Sequence, residues 1–547
     1  MSHQERNNLS HLPDECWEQV FKFFDHCCYL EHPSLLSKQL LSITNNLQSS
    51  LTVSAQTRPY LSRLFTRFPN LRNLNLDLTR YTTADELDVF LHLISDSSLS
   101  LQSLNISHVT SIPVNGFRDL GKKIKTLKSL GCIDISSLQN VNDVLILIAG
   151  SFPFIEELHI NCVAEGLISE FSIETLSLAL PKLRKINFSG NCFFKNASLF
   201  HLCKNCEFLE QVMFHRCNLV TQPGIISAIK ERPNLTLLSV VNNEPQQRIG
   251  SDLIASLVNL KSLTCLDLSS WIISDELLFS IANACIPLTK LVLVRCLGYS
   301  YAGLSLLLSK CQLVQHLDLE SAEFLEDEHI SNLSAFLGNL IFINLSSCTK
   351  LTNLSIFVLT RNCPLLSGIR MMSASLGDDG IVYSLKDFVV NSRMKSLDLS
   401  YNSWLWDGSI KVFASICPNL EVLYLDSFKG TPNSILEVLK RCPKIRDLSL
   451  ADCSRVELLF GMMNFHCPNL EVLKLSRTNI DDESLFMISK RCHKLLHLDL
   501  ESCSKITTKG VIQVVKSCKQ LRKIKLTSCK GVFACKVLSR PSLKIFG

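Results

Sequence analysis

No stretch of this sequence stays apolar for the roughly 20 residues that a membrane-spanning helix needs, so a helical membrane protein is not expected. Charge is also scarce. Asp, Glu, Lys and Arg make up 19% of the chain against 46% hydrophobic residues, a balance that opposes disorder. With 17 Pro and 20 Gly in 547 residues, no long flexible linker is predicted. The opening MSHQERNNLS is polar and lacks the apolar stretch of a secretory signal, so none is expected. Acidic residues are absent from one segment: Ser502 to Gly547 holds 11 Lys or Arg and no Asp or Glu. The rest of the chain is therefore net acidic by six charges (5 − 11 = −6).

What the chain has in excess is cysteine, 24 in all. Disulfide-dense scaffolds are short and secreted, which this chain is not expected to be. A reducing compartment, cytoplasm or nucleus, fits better, and the thiols then need a structural reason.

An internal repeat supplies it. The pattern L-x-x-L-x-L-x-x-C/N recurs, as in Leu420, Leu423 and Leu425, in Leu470, Leu473 and Leu475, and in Leu495, Leu498 and Leu500. Its first apolar position falls at 71, 101, 130, 155, 183, 209, 235, 263, 288, 314, 340, 366, 394, 420, 445, 470, 495 and 521, with spacings of 25 to 30. That is the period of leucine-rich repeats. Alternate residues of L-x-L point to one face of a short strand. The return segment is helical: Leu485, Ile488 and Cys492 share a face, with Asp481 or Asp482 as the cap. One unit cannot bury both faces alone, so stability comes from stacking. The expected fold is an α/β leucine-rich-repeat solenoid of about 18 repeats, a curved parallel sheet with outer helices. Fifteen cysteines find places in it. Nine stand three residues before the first strand position: Cys206, Cys285, Cys311, Cys363, Cys417, Cys442, Cys467, Cys492 and Cys518. Six stand three residues after the last: Cys217, Cys296, Cys348, Cys453, Cys503 and Cys529, where other repeats have Asn191, Asn243 and Asn402. Buried structural thiols are the expectation. The unit C-P-x-L-x-x-L-x-L-x-x-C followed by a helix ending in Cys resembles the cysteine-containing leucine-rich repeats of F-box proteins. The resemblance covers roughly residues 67 to 547.

Residues 9 to 50 do not fit the repeat. Leu12-Pro13-Asp14-Glu15 reads as a helix start. Cys16, Trp17, Val20, Phe21 and Phe24 form a wide apolar stripe, and a second apolar helix is predicted over Leu35 to Ile43. So short a segment cannot bury that much apolar surface alone, which implies a partner. The segment resembles an F-box. Leu12, Pro13, Val20, Phe21, Ser37 and Lys38 match its pattern in order, while Leu40 stands where the pattern has an aromatic. LLSKQLLSITN is similar to plant F-box/leucine-rich-repeat proteins. The resemblance implies a non-catalytic substrate receptor of an SCF-type ubiquitin ligase, leading to proteasomal degradation. Leu12, Pro13, Cys16, Val20, Phe21, Leu36, Ser37 and Lys38 would dock on a Skp-family adaptor and through it on a cullin-RING core, while the repeats capture a protein substrate. The alternatives are a protein-binding scaffold with a degenerate F-box, and a ligand-sensing F-box/leucine-rich-repeat receptor. The domain limits expected are 9–50 for the F-box, 51–66 for a link or capping helix, and 67–547 for the repeats.

Other signals are weaker. Gly116 to Lys123 imitates a phosphate-binding loop but lacks the magnesium-binding Ser or Thr and falls on a predicted helix. Cys203-x-x-Cys206 has no second pair, and the 14 histidines show no metal spacing, so no metal is expected. Near the C-terminus Lys523 and Lys525 should project from the strand face opposite the core. With Lys474 and Arg477 they would attract an anion or acidic partner, although a solvated terminal repeat is the simpler reading. Plant hormone receptors of this type carry an inositol polyphosphate, but no residue match supports one here. No cofactor is therefore expected, and nucleic acid ranks last among the partners.

Overall fold

A computed structural model describes residues 12–22, 30–53, 57–77, 83–108, 113–133, 141–161, 168–241, 247–376, 389–402, 405–533, 537 and 543–546. The chain divides into two compact units, Met1–Glu244 with Gly250–Ser262, and Pro245–Ile249 with Leu263–Gly547. Among the described residues the first holds eight strands, from Ser50–Val53 to Leu237–Val241, and the second twelve, from Cys265–Asp267 to Lys544–Phe546. Within each unit every strand pairs in parallel with the next. Helices such as Asn196–Asn205, Tyr301–Lys310 and Asp482–Arg491 return the chain between strands. This is a leucine-rich-repeat architecture.

The core is built as the pattern requires. Leu495, Leu498 and Leu500 are buried, and so are Leu485 and Ile488 on the helix that precedes them. Fully burying each such side chain is worth about 1.5–3 kcal/mol. After the last apolar strand position the chain turns through a left-handed residue, such as Arg216, Arg295, Ser347, Asp452 or Ser502. The Cys that follows each of these is buried, and its thiol donates to a carbonyl of the preceding repeat.

Two features differ from the sequence reading. The third repeat is framed on Leu127 rather than Leu130, because Leu130 pairs with Leu104 and Cys132 with Ile106. Residues 51–66 are not simply a link or a capping helix. Ser50–Val53 is a strand paired with the one starting at Asn73, and Leu61–Arg67 is a helix. At the far end, Lys544–Phe546 pairs with Lys523–Lys525, as a truncated final repeat would.

Among the described residues no helix is long and apolar enough to cross a membrane.

Candidate functional site

The N-terminal segment forms helices Asp14–Lys22, Glu31–Ser34 and Lys38–Leu47. Asp14 and Glu15 occupy the first turn of the first helix, where acids complement its dipole. Its small core consists of Phe21, Leu30 and Ile43, with Trp17, Leu40 and Leu47 packed against it. Trp17 stacks on Phe21 at 5.6 Å. Gln39 ties the helices together, donating to the Leu12 carbonyl at 3.3 Å and to Asp14 at 2.7 Å.

This arrangement sorts the eight residues proposed for adaptor binding. Leu12, Val20 and Leu36 are exposed, Leu36 to 77%. Pro13 and Cys16 are exposed as well. Phe21 is not available: its ring lies in the core, so it holds the helices together rather than meeting a partner. Ser37 caps the third helix, its hydroxyl accepting from Leu40 N–H at 3.1 Å, so the second apolar helix begins at Lys38 and not at Leu35. Leu40, at the position where an aromatic was expected, packs on the core instead. The sequence reading passed over Leu35, whose side chain is 82% exposed, because it counted that residue into a helix. Phe24 lies outside the described residues.

In the second unit, strand residues flanking the buried Leu form a polar face. Val472–Lys474, His497–Asp499 and Lys523–Lys525 run side by side there. Lys474 lies 4.0 Å from the Tyr424 ring centre and 3.6 Å from Asp447 Oδ1, while the Tyr424 hydroxyl donates to Asp447 Oδ2 at 2.7 Å. Burial acts against the Lys474 charge, but Tyr424 and Asp447 outweigh it and hold its pKa above the ordinary lysine value. Lys525 pairs with Asp499 at 3.1 Å and Glu501 at 3.9 Å, and Lys523 sits 5.0 Å from the Phe546 ring centre. Arg477 stands apart, in a left-handed turn. The proposed basic patch is thus laced with carboxylates, and its lysines are committed to intramolecular partners. Nearer the middle of this unit the same face carries Asp318, bonded to Asn344 at 2.9 Å, and Asp426, bonded to the Ser449 hydroxyl. Burial raises the pKa of both acids.

Most of the described cysteines are buried. Among the described residues no group of His, Cys, Asp or Glu is placed to hold a metal ion. Cys203 and Cys206 are buried, and burial pushes both thiols up to about 12. The imitation phosphate loop lies on helix Val114–Lys123. Its glycines serve packing: a Cβ on Gly121 would stand 2.1 Å from the Ser151 carbonyl oxygen, and Gly116 N–H donates to Asp88 at 2.8 Å. Sequence reasoning also missed a pocket of about 330 Å³ lined by Lys125, Lys128, Phe154, Glu156 and Lys182. Lys128 pairs with Glu156 at 2.9 Å, and Lys182 lies over Phe154 at 4.9 Å.

A family model described as Leucine Rich repeat matches residues 466–489 and 491–514. Among solved structures, the chain is similar to one in the crystal structure of the Rad7 and Elc1 complex in yeast. Identity is 17% over 100% of this chain and 98% of that one, with a TM-score of 0.37. It is also similar to a chain of the mouse RP105/MD-1 complex, at 16% identity over 85% and 80% with a TM-score of 0.42. A chain of the TLR13–ssRNA13 complex matches at 16% identity over 88% and 78% with a TM-score of 0.39. At these identities the fold rests on the chain's own strands and repeats.

Proposed function

We propose that the protein is a non-catalytic substrate receptor of an SCF-type ubiquitin ligase, docking on a Skp-family adaptor and holding a protein substrate on its repeats. The observation that carries this reading is the N-terminal apolar surface. Leu12, Val20, Leu35 and Leu36 stand exposed on a three-helix segment whose own core is already filled by Phe21, Leu30 and Ile43. An isolated helical segment with its leucines in water is stabilised by covering them. The adaptor brings the ligase core, and the repeats raise the effective concentration of substrate lysines beside it. The resemblance of residues 9–50 to the F-box supplies the identity of the partner.

The test is a pulldown of the full-length protein with a purified Skp-family adaptor. The comparison is Leu35→Ser/Leu36→Ser, which changes two exposed residues and leaves the small core intact. Capture by the native chain and its loss in the variant, with unchanged circular dichroism, is the expected result. No capture of the native chain across several adaptor isoforms would reject the reading. Phe21 is unsuitable for this purpose, since its removal would unfold the segment.

A further inference from the structure

Of the nine cysteines that precede a repeat strand, seven are alike; Cys285 follows an Ala284 cap and donates its N–H to the Ala282 carbonyl at 3.1 Å. Cys206, Cys311, Cys363, Cys417, Cys442, Cys492 and Cys518 each cap the helix before them, with the backbone N–H bonded to the carbonyl four residues earlier. Cys467 does not. Its helix, Val456–Met462, ends early with Met463 as the cap, so four residues of non-helical chain precede Cys467. The Cys467 N–H instead donates forward, to the Arg491 carbonyl of the next repeat at 3.1 Å.

That bond has a geometric consequence. Arg491 is the chain neighbour of Cys492, so the Cys467 and Cys492 backbones lie side by side across the two repeats, the closeness that a disulfide requires. The flanking residues confirm the approach: the rings of His466 and His493 lie 5.7 Å apart. Elsewhere in the column the thiols point to backbone. Cys442 donates to the Cys417 carbonyl at 3.4 Å and Cys518 to the Cys492 carbonyl at 3.8 Å. Between Cys467 and Cys492 each thiol acts on the other, holding the Cys467 pKa below and the Cys492 pKa above the ordinary thiol value. Cys467 is also the most accessible buried thiol of the set, at 9% against 0% for Cys492.

We infer that Cys467 and Cys492 form an inter-repeat dithiol site, a place of reversible modification by low-molecular-weight disulfides such as glutathione disulfide. The chemistry balances in two exchanges. The Cys467 thiolate attacks one glutathione sulfur, a protein–glutathione S–S bond forms, and one glutathione thiolate leaves. The Cys492 thiol then attacks the Cys467 sulfur, its proton passing to the sulfur of the second glutathione as that glutathione leaves. The Cys467–Cys492 bond results. The two protein thiols are oxidised, and one glutathione disulfide is reduced to two glutathiones. The bond would staple two adjacent repeats.

The test uses the full-length chain, incubated folded with glutathione disulfide, alkylated, and digested with trypsin without reduction. Lys474, Arg477, Lys490 and Arg491 separate the two cysteines after digestion. The expected result is a cross-linked pair of the Cys467 and Cys492 peptides that reductant separates. In Cys492→Ser, the mixed glutathione disulfide should persist on Cys467. A cross-link that forms equally fast in urea-unfolded chain would overturn the proposal. So would glutathione found only on exposed Cys16, Cys192 or Cys285, or a mixed disulfide on native Cys467 that never closes onto Cys492. Circular dichroism of the variant guards against misfolding as the cause of any change.

Discussion

Cys348 donates its thiol to the Leu319 carbonyl of the preceding repeat at 3.3 Å, and the equivalent bond recurs from Cys296 to Leu268 and from Cys503 to Leu475. Asn402 makes the same reach with its amide, to the Met371 carbonyl at 2.8 Å, and Asn191 to the Ile160 carbonyl at 2.8 Å. The two residue types differ in what else they carry into the core. The side-chain oxygens of Asn191 and Asn402 are buried without a hydrogen-bond partner among the described residues. Cysteine brings one donor and no strong acceptor, so nothing is left over. Cys348→Ala should leave the Leu319 carbonyl with only the Ala322 N–H and cost about 0.5–1.5 kcal/mol, read as a lower urea midpoint. Asn402→Cys keeps a donor and deletes the orphaned oxygen, and should retain stability that Asn402→Ala loses. Equal midpoints for Cys348→Ala and the native chain would show that the thiol bond is idle.

At the scale of the element, helices are joined to their neighbours by an aspartate staple. Asp482 opens its helix and accepts from the Thr507 N–H at 2.8 Å and hydroxyl at 2.6 Å in the next repeat. Asp275 does the same for Ser300, and Asp327 for Thr352. A glycine stands opposite Asp482, where a Cβ on Gly510 would lie 2.2 Å from Asp482 Oδ1; opposite Asp327 the same position holds Ser355, whose hydroxyl donates to the carboxylate. Asp482→Ala should cost about 1.5–3 kcal/mol, the range for hydrogen bonds to a charged group. Gly510→Ala alone should also destabilise, but the double variant should lose less than the sum, because the clash goes with the carboxylate. Strict additivity in a double-mutant cycle would refute the coupling. The sequence had shown Asp481 and Asp482 as caps without separating them; Asp481 is the cap, bonding Ser484 N–H at 2.9 Å. Elements with three regular Leu were legible because the period is repeated so often. The third repeat was misframed because Cys132 takes a core position while exposed Ile133 mimics one. Strand Ser50–Val53 was hidden because its first frame position is Gln48, and only the neighbouring strand reveals the pairing. The candidate adaptor surface was half legible. Apolar residues in a short segment announce themselves, but which of them face inward depends on contacts such as Trp17 with Phe21, which no spacing rule supplies.

At the scale of the whole molecule, a repeat array has no distant contacts to fall back on, so its stability is a sum over neighbouring repeats. A small term present in most repeats therefore becomes large. Buried thiols are such a term. Burial pushes Cys206, Cys217, Cys296, Cys348, Cys363, Cys417, Cys442 and Cys453 up to about 12. In an unfolded chain the same thiols titrate near 8.5. Between those values the unfolded chain has lost protons that the folded chain keeps, so stability must fall as pH rises. Below the unfolded value both states are protonated and pH has no leverage through these groups. Each thiol contributes a slope of about 1.4 kcal/mol per pH unit in that window, to order of magnitude. With several acting together, the fall exceeds what most folded chains have to lose. The urea midpoint should hold steady from pH 7 to about 8.5 and then drop steeply, with far-UV circular dichroism lost well before pH 12. Replacing Cys296 and Cys453 together by Ala should lower stability at neutral pH yet make the alkaline decline shallower. A decline of unchanged steepness in that variant would show that lysine or tyrosine ionisation, not the thiols, sets the alkaline limit.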